Sequence, residues 1–292
     1  MRSADPVFRW DLRKRSQLGR LAESGGERTA SAAASTALEG FAQLRDEELV
    51  ELRLLAARTL AASGGGDLWF IGRSLEPVFD YLSGLFMGRE QTPRLSLSNI
   101  SVSRGSYERR ELRSELERLG LHPRELYRRA RPQVLCDVIY SGGTMGTLIS
   151  ELDAWAAEAV GDAKAVMRQL RIVGVLIKRK PSPNASRWQQ EVAWLRRYPT
   201  LKVENVAIPY PQWSAIADRD PKVGVWNPAS RWGTSLRRDD RLHPRRLLAL
   251  RRALAVFDAA STREERAAFR TAFAATKGVE HRWGRGVLAA LK

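Results

Sequence analysis

The chain is poor in the residues that build covalent or metal-bound frameworks. Among its 292 residues there is one cysteine, Cys136, which excludes an internal disulfide and any cysteine-cluster zinc site. The three histidines, His122, His243 and His281, stand far apart and lack HExxH-type ligand spacing. No apolar run reaches the roughly 18–20 residues that a membrane span needs, and the amino-terminus has no apolar signal core. The expectation is a soluble, cytoplasmic protein with no membrane partner. Lysine is scarce as well: only 8 of the 49 basic residues are Lys, leaving 41 Arg. The hydrophobic share is 43%, enough to bury a core, so a wholly disordered chain is excluded.

What is present in excess is positive charge. Against 33 acidic residues, the basic ones leave a formal net charge of +16. Such a surface attracts polyanions: phosphorylated small molecules, nucleic acid or an anionic membrane face. The excess of Arg and Ala also matches a GC-rich coding bias, and composition does not choose among the three.

Periodicity divides the chain. Residues 1–36 are polar, end in a small-residue tract (Thr29 to Thr36) and read as an arm. From 37 to 62, Leu38, Phe41, Leu44, Leu49, Leu52, Leu55 and Leu60 recur at helical spacing until Ser63-Gly64-Gly65-Gly66. Leu68–Ile71 is a short continuous apolar run, as in a buried parallel strand, and Glu76–Met87 reads as a helix with Pro77 in its first turn. Further strands are expected at Arg94–Val102, Val134–Tyr140, Arg171–Ile177 and Leu201–Ile208, with helices over the charged stretch 103–131 and over Thr147–Val160. Alternating strands and helices predict an α/β domain with a mainly parallel twisted sheet. The expected units are a helical amino-terminal extension (1–65), the α/β domain (66–240) and a basic helical extension (241–292).

The most informative segment is Val134-Leu135-Cys136-Asp137-Val138-Ile139-Tyr140-Ser141-Gly142-Gly143-Thr144. An apolar strand ends near an acid, and a tight glycine turn leads into a helix. Backbone N–H groups at such a helix start converge on one point and favour a phosphate. Glycines permit close approach, Ser141 and Thr144 add hydroxyl donors, and Asp137 can accept from ribose hydroxyls.

This segment resembles the 5-phosphoribosyl-1-pyrophosphate (PRPP) motif of type I phosphoribosyltransferases. Asp137 matches the second acid of the motif, and Tyr140 to Thr144 match the turn that holds the 5-phosphate. Two positions depart from the pattern: Cys136 replaces the first acid, and Tyr140 stands where a small polar or acidic residue is usual. Leu68–Pro77 resembles the family's first strand and pyrophosphate loop, with Gly72, Arg73 and Ser74 binding pyrophosphate and Arg73 as the cation. Val175-Leu176-Ile177-Lys178-Arg179 resembles the strand end of hypoxanthine-guanine type members, in which Lys178 would contact the base. Trp213, Trp226 or Trp232 would stack on an acceptor ring. The likeness covers residues 66–230.

The resemblance implies a phosphoribosyltransferase-like fold and an enzyme that binds PRPP and Mg²⁺ and releases pyrophosphate on joining the ribosyl carbon to a small-molecule acceptor. Asp137, Arg73 and Lys178 would be the catalytic residues, and Asp137 the metal contact. A homo-oligomer is implied too. Tyr140 cannot supply the carboxylate that serves purine rings in salvage enzymes, so a standard purine is not the expected acceptor. A loop over 103–116 would close on the site, with Arg104, Arg109 and Arg110 joining the pyrophosphate clamp. The alternative is a non-catalytic PRPP- or nucleotide-sensing regulator that binds nucleic acid through basic flanks, its separate basic face formed by Arg237, Arg238, Arg245, Arg246, Arg251 and Arg252. Only weak, nonspecific nucleic-acid binding is expected.

Overall fold

The computed structural model describes residue 12 and residues 43–87, 97–100, 109–179, 188–222 and 244–292. The expected strands at 94–102 and helix at 37–62 are therefore described in part, and the arm is described at Leu12 alone. Helix α1 (Asp46–Ala62) begins with three acids in its first turn, where the macrodipole favours negative charge. It ends where Gly64 and Gly65 take left-handed φ values of 59° and 79°. Strand β1 (Asp67–Ile71) leads into α2 (Glu76–Leu85), followed by β2 (Leu97–Ile100). Helices α3 (Arg109–Arg118) and α4 (Pro123–Arg128) precede β3 (Gln133–Val138) and α5 (Gly143–Ala159). Then come α6 (Ala163–Arg168), β4 (Leu170–Ile177), the short α7 (Trp188–Glu191), β5 (Lys202–Ile208) and the short α8 (Tyr210–Ser214). Three helices close the chain: α9 (Pro244–Ser261), α10 (Arg263–Ala274) and α11 (Arg282–Ala290).

All five strands are parallel, in the order β2-β1-β3-β4-β5. A parallel sheet needs a crossover between neighbours and helices on both faces, which accounts for the apolar run of β3, buried over five of its six residues. Side chains alternate between two cores. Val134 and Cys136 enter the one shared with α1, α2, α10 and α11, whereas Leu135 enters the one shared with α3 to α6.

Composition places boundaries near 65 and 241, but the core does not follow them. Leu55, Leu60, Phe70, Tyr81, Val173, Phe269, Phe273 and Leu291 belong to a single buried cluster. Helix α9 lies so close on α2 that a Cβ at Gly84 would stand 2.2 Å from the Phe257 carbonyl oxygen. Leu12 is buried against Leu247, Leu250 and Leu254 of α9. Three elements meet at one buried carboxylate: Arg53 donates to both oxygens of Glu265 at 2.7 and 2.6 Å, and Tyr81 donates to Oε1 at 2.5 Å. Among the described residues, no helix is long and apolar enough to cross a membrane.

Candidate functional site

The sheet order reverses between β1 and β3. From β1 the chain moves outward to β2, and from β3 it moves the other way to β4 and β5. At such a point the connections after two adjacent strands leave in opposite directions and open a crevice beyond their carboxyl ends, where ligands bind in open α/β sheets. The two loops singled out in the sequence flank this point. Gly72, Arg73 and Ser74 follow β1; Tyr140, Ser141 and Gly142 follow β3.

Each loop turns on a glycine in the left-handed region, Gly72 at φ 72° and Gly142 at φ 69°. Gly142 is also the N-cap of α5, so the helix begins at Gly143, inside the turn and four residues before the expected Thr147. Gly143 and Thr144 thus lie in the first turn. That turn has no acidic residue and its N-cap offers no side-chain acceptor, so the opening amides of a 17-residue helix are left to an outside acceptor.

Asp137 lies in β3 behind this turn, 7% exposed. Its Oδ1 accepts the Val138 N–H at 2.7 Å. Burial pushes the carboxyl up to about 8, far beyond what that one hydrogen bond draws back. Cys136, at the position of the first acid, points into the opposite core, and burial raises its thiol further from ionisation.

A cover over the turn was not foreseen. Asp137, Gly174 and Asn205 occupy one row across β3, β4 and β5 and face the same side. Because Gly174 has no side chain, the row holds a hollow, and Trp188 fills it. An added Cβ at Gly174 would lie 3.7 Å from Cζ2 of Trp188, and one at Gly142 would lie 3.1 Å from its Cζ3. Trp188 Nε1 donates to Asn205 Oδ1 at 3.0 Å and so holds the ring in place. Nothing in the sequence separates Trp188 from the other eight tryptophans, and only strand register brings Asn205 to the row.

The other expected residues lie at the same edge. Tyr140 is 82% exposed, and its ring centroid is 6.1 Å from that of Trp213, which α8 supplies after β5. Lys178 follows β4 with an exposed side chain, its backbone N–H donating to Ile208 O at 2.6 Å. Arg73 is half-buried, and burial lowers its pKa. Lys222, also unforeseen, is lowered by burial as well; Asp220 and Glu76 pull it back up and Arg73 pushes it down. Two cations and the buried Glu76 thus share the space beyond β1.

Other expectations part from the structure. Arg109 does not face the crevice; its Nε donates to Glu151 Oε2 at 3.1 Å, and Arg113 joins the same carboxylate at 2.6 Å. Glu151 sits two turns into α5, so α3 is fastened to the helix rather than to the turn. Arg110 and Arg179 are exposed. Arg104, Trp226 and Trp232 lie outside the described residues. No three His, Cys, Asp or Glu side chains gather as metal ligands among the described residues.

The chain matches no protein-family model, no curated protein and no solved structure.

Proposed function

We propose that the protein is a phosphoribosyltransferase, binding PRPP at the switch point and passing its ribosyl carbon to a small-molecule acceptor with release of pyrophosphate. The observation that carries this reading is the placing of two glycine turns, after β1 and after β3, on either side of the strand-order reversal. The opening amides of α5, with Ser141 and Thr144, would take the 5-phosphate. Arg73 and the Gly72–Ser74 loop would take the diphosphate, and Asp137 the ribose hydroxyls. Tyr140, Trp213 and Lys178 would border the acceptor. Catalysis would rest on positioning and charge stabilisation as the glycosidic carbon becomes cationic. Mg²⁺ bound to the diphosphate would help to offset its leaving charge, with Asp137 the residue placed to meet it. A homo-oligomer belongs to the same reading.

One observation favours the alternative, a non-catalytic PRPP- or nucleotide-sensing regulator. The one acid at the turn is buried and holds its proton near neutrality. The two readings separate in a paired experiment. Thermal melting is followed with PRPP and Mg²⁺, and pyrophosphate release is assayed against bases, aromatic acids and amines. Stabilisation with release supports the enzyme; stabilisation without release for any acceptor supports the regulator. No stabilisation by PRPP removes the enzyme, and none by PRPP or by nucleotides removes both.

A further inference from the structure

We infer that the outer face of α11, together with the amino-terminal edge of the sheet, is a binding surface for the phosphate backbone of nucleic acid. Of the basic face expected from the tail, Arg245 is exposed and Arg251 half-buried. Arg246 is buried, and Arg252 is spent on Glu48 at 2.9 Å and on the Gln43 carbonyl at 2.6 Å. Arg237 and Arg238 lie outside the described residues.

The cations gather instead around the loop Ser63–Gly66. Arg171 NH1 donates to Ser63 O at 3.4 Å, and Arg131 NH2 donates to Gly65 O at 2.6 Å. The Trp283 ring of α11 packs on the same loop, where an added Cβ at Gly65 would lie 2.7 Å from it. Lys202, exposed, is the register partner of Arg171 on the neighbouring strand. Helix α11 buries Gly284 and Val287 and exposes Arg282, Arg285, Gly286 and Ala289; buried Leu291 and exposed Lys292 follow its end. That spacing of three and four places the exposed set on one helical face. At a rise of about 1.5 Å per residue, the exposed face from Arg282 to Ala289 runs about 10 Å, roughly three base steps of a duplex, with Lys292 just beyond it. Between the cations stand only Gly286 and Ala289, and the space a Cβ would take at Gly286 is open, so a backbone can approach closely.

Two features set this face apart from the general excess of arginine. Arg282 and Arg285 occupy the first turn of α11, where the helix dipole disfavours cations and no acid accompanies them. Arg285 recovers part of that cost by donating from NH1 to Glu280 O at 3.0 Å, and the cost that remains points to a role in binding. The acids nearby are few: Asp67 is held by Arg131 at 2.9 Å, and Glu280, exposed, precedes the helix. The surface lies at the opposite end of the strands from Asp137, so it neither uses nor obstructs the switch-point crevice. Backbone phosphates carry no base identity, so the binding is nonspecific in sequence.

The test is fluorescence anisotropy of the full chain with a labelled duplex of arbitrary sequence, titrated from about 50 to 200 mM salt. Wild type should bind, and affinity should fall steeply with salt. The triple variant Arg282→Gln, Arg285→Gln, Lys292→Gln changes only exposed side chains, so its melting temperature should hold. Its slope of log affinity against log salt should flatten by about 3, close to one unit for each lost phosphate contact. The control triple Arg110→Gln, Arg179→Gln, Arg196→Gln should keep the wild-type slope. No binding at low salt, an unchanged slope in the α11 variant, or an equal loss in the control overturns the inference. So does tighter binding to phosphatidylserine-containing vesicles than to the duplex, lost in the same variant, which would assign the face to a membrane surface.

Discussion

Asp137 is a carboxyl held in its neutral form by burial, and a ribose hydroxyl would meet it best once it is ionised. The linkage follows from the direction of the shift. In the unfolded chain the group ionises near 3.8, whereas in the folded protein it keeps its proton up to about 8. Its contribution to stability is therefore fully present below the lower value and is lost as pH rises toward the upper one. Asp137→Asn removes that dependence. The variant is expected to melt progressively higher relative to wild type across that window, and a constant difference in melting temperature would contradict the burial argument. The same variant should bind PRPP more than tenfold more weakly above about pH 8, where the wild-type carboxyl is ionised and a charged acceptor to hydroxyls contributes about 1.5–3 kcal/mol. Titration calorimetry on the folded variant measures this. Tyr140 leads to a second expectation. Its phenol gives no carboxylate to a purine ring, so hypoxanthine and guanine should be poor acceptors in a pyrophosphate-release assay. Fast turnover of either, lost in Tyr140→Phe, would reverse this.

Among the helices, the Glu265 carboxylate binds α10 to α1 and α2 through Arg53 and Tyr81. A buried ion pair broken on one side leaves an uncompensated charge. Glu265→Ala should therefore cost about 3–5 kcal/mol in urea denaturation, and Tyr81→Phe only about 1 kcal/mol, the worth of one hydrogen bond. Equal costs would mean that packing, not charge, holds the junction. Gly84→Ala probes the α2–α9 contact, where the neighbour is a backbone carbonyl that cannot rotate away. Overpacking of this kind costs about 1–3 kcal/mol even though alanine is the better helix former. An Ala variant as stable as wild type would show that α9 is free to shift.

Across the whole molecule, the carboxyl-terminal helices complete the sheet's core. Deleting residues 244–292 strips Phe269, Phe273, Val287 and Leu291 from the cluster that Phe70, Leu82 and Val173 share. The shortened chain is expected to lose its cooperative thermal transition; a sharp transition in calorimetry would instead mark the α/β part as an independent unit. Charge is divided on the same scale. The carboxyl edge of the sheet carries the crevice with Arg73, Lys178 and Lys222, and the amino edge carries the α11 surface.

What the sequence by itself determined was local. The runs of β1, β3 and β4 are buried on both faces, so they stand out from their charged neighbours without knowledge of partners, whereas β5, at the sheet edge, buries only Val206 and Ile208; each was legible to within two residues. The glycine turn at Gly142 was legible for the same reason, since a left-handed backbone position requires that residue type. Helix α5 began earlier than its apolar periodicity suggested because amides, not side chains, open a helix. Only the tertiary structure decided which turns meet at the switch point, because strand order depends on crossovers that leave no mark in composition. It alone brought Asn205 into one row with Asp137 and Gly174 and set Trp188 against Gly174 and Gly142. It also sorted the arginines: Arg109 went to Glu151, Arg252 to Glu48, Arg285 to the Glu280 carbonyl and Arg282 to solvent. A charged side chain is assigned by the partner that folding brings within a few ångströms, and that partner is most often distant in the chain.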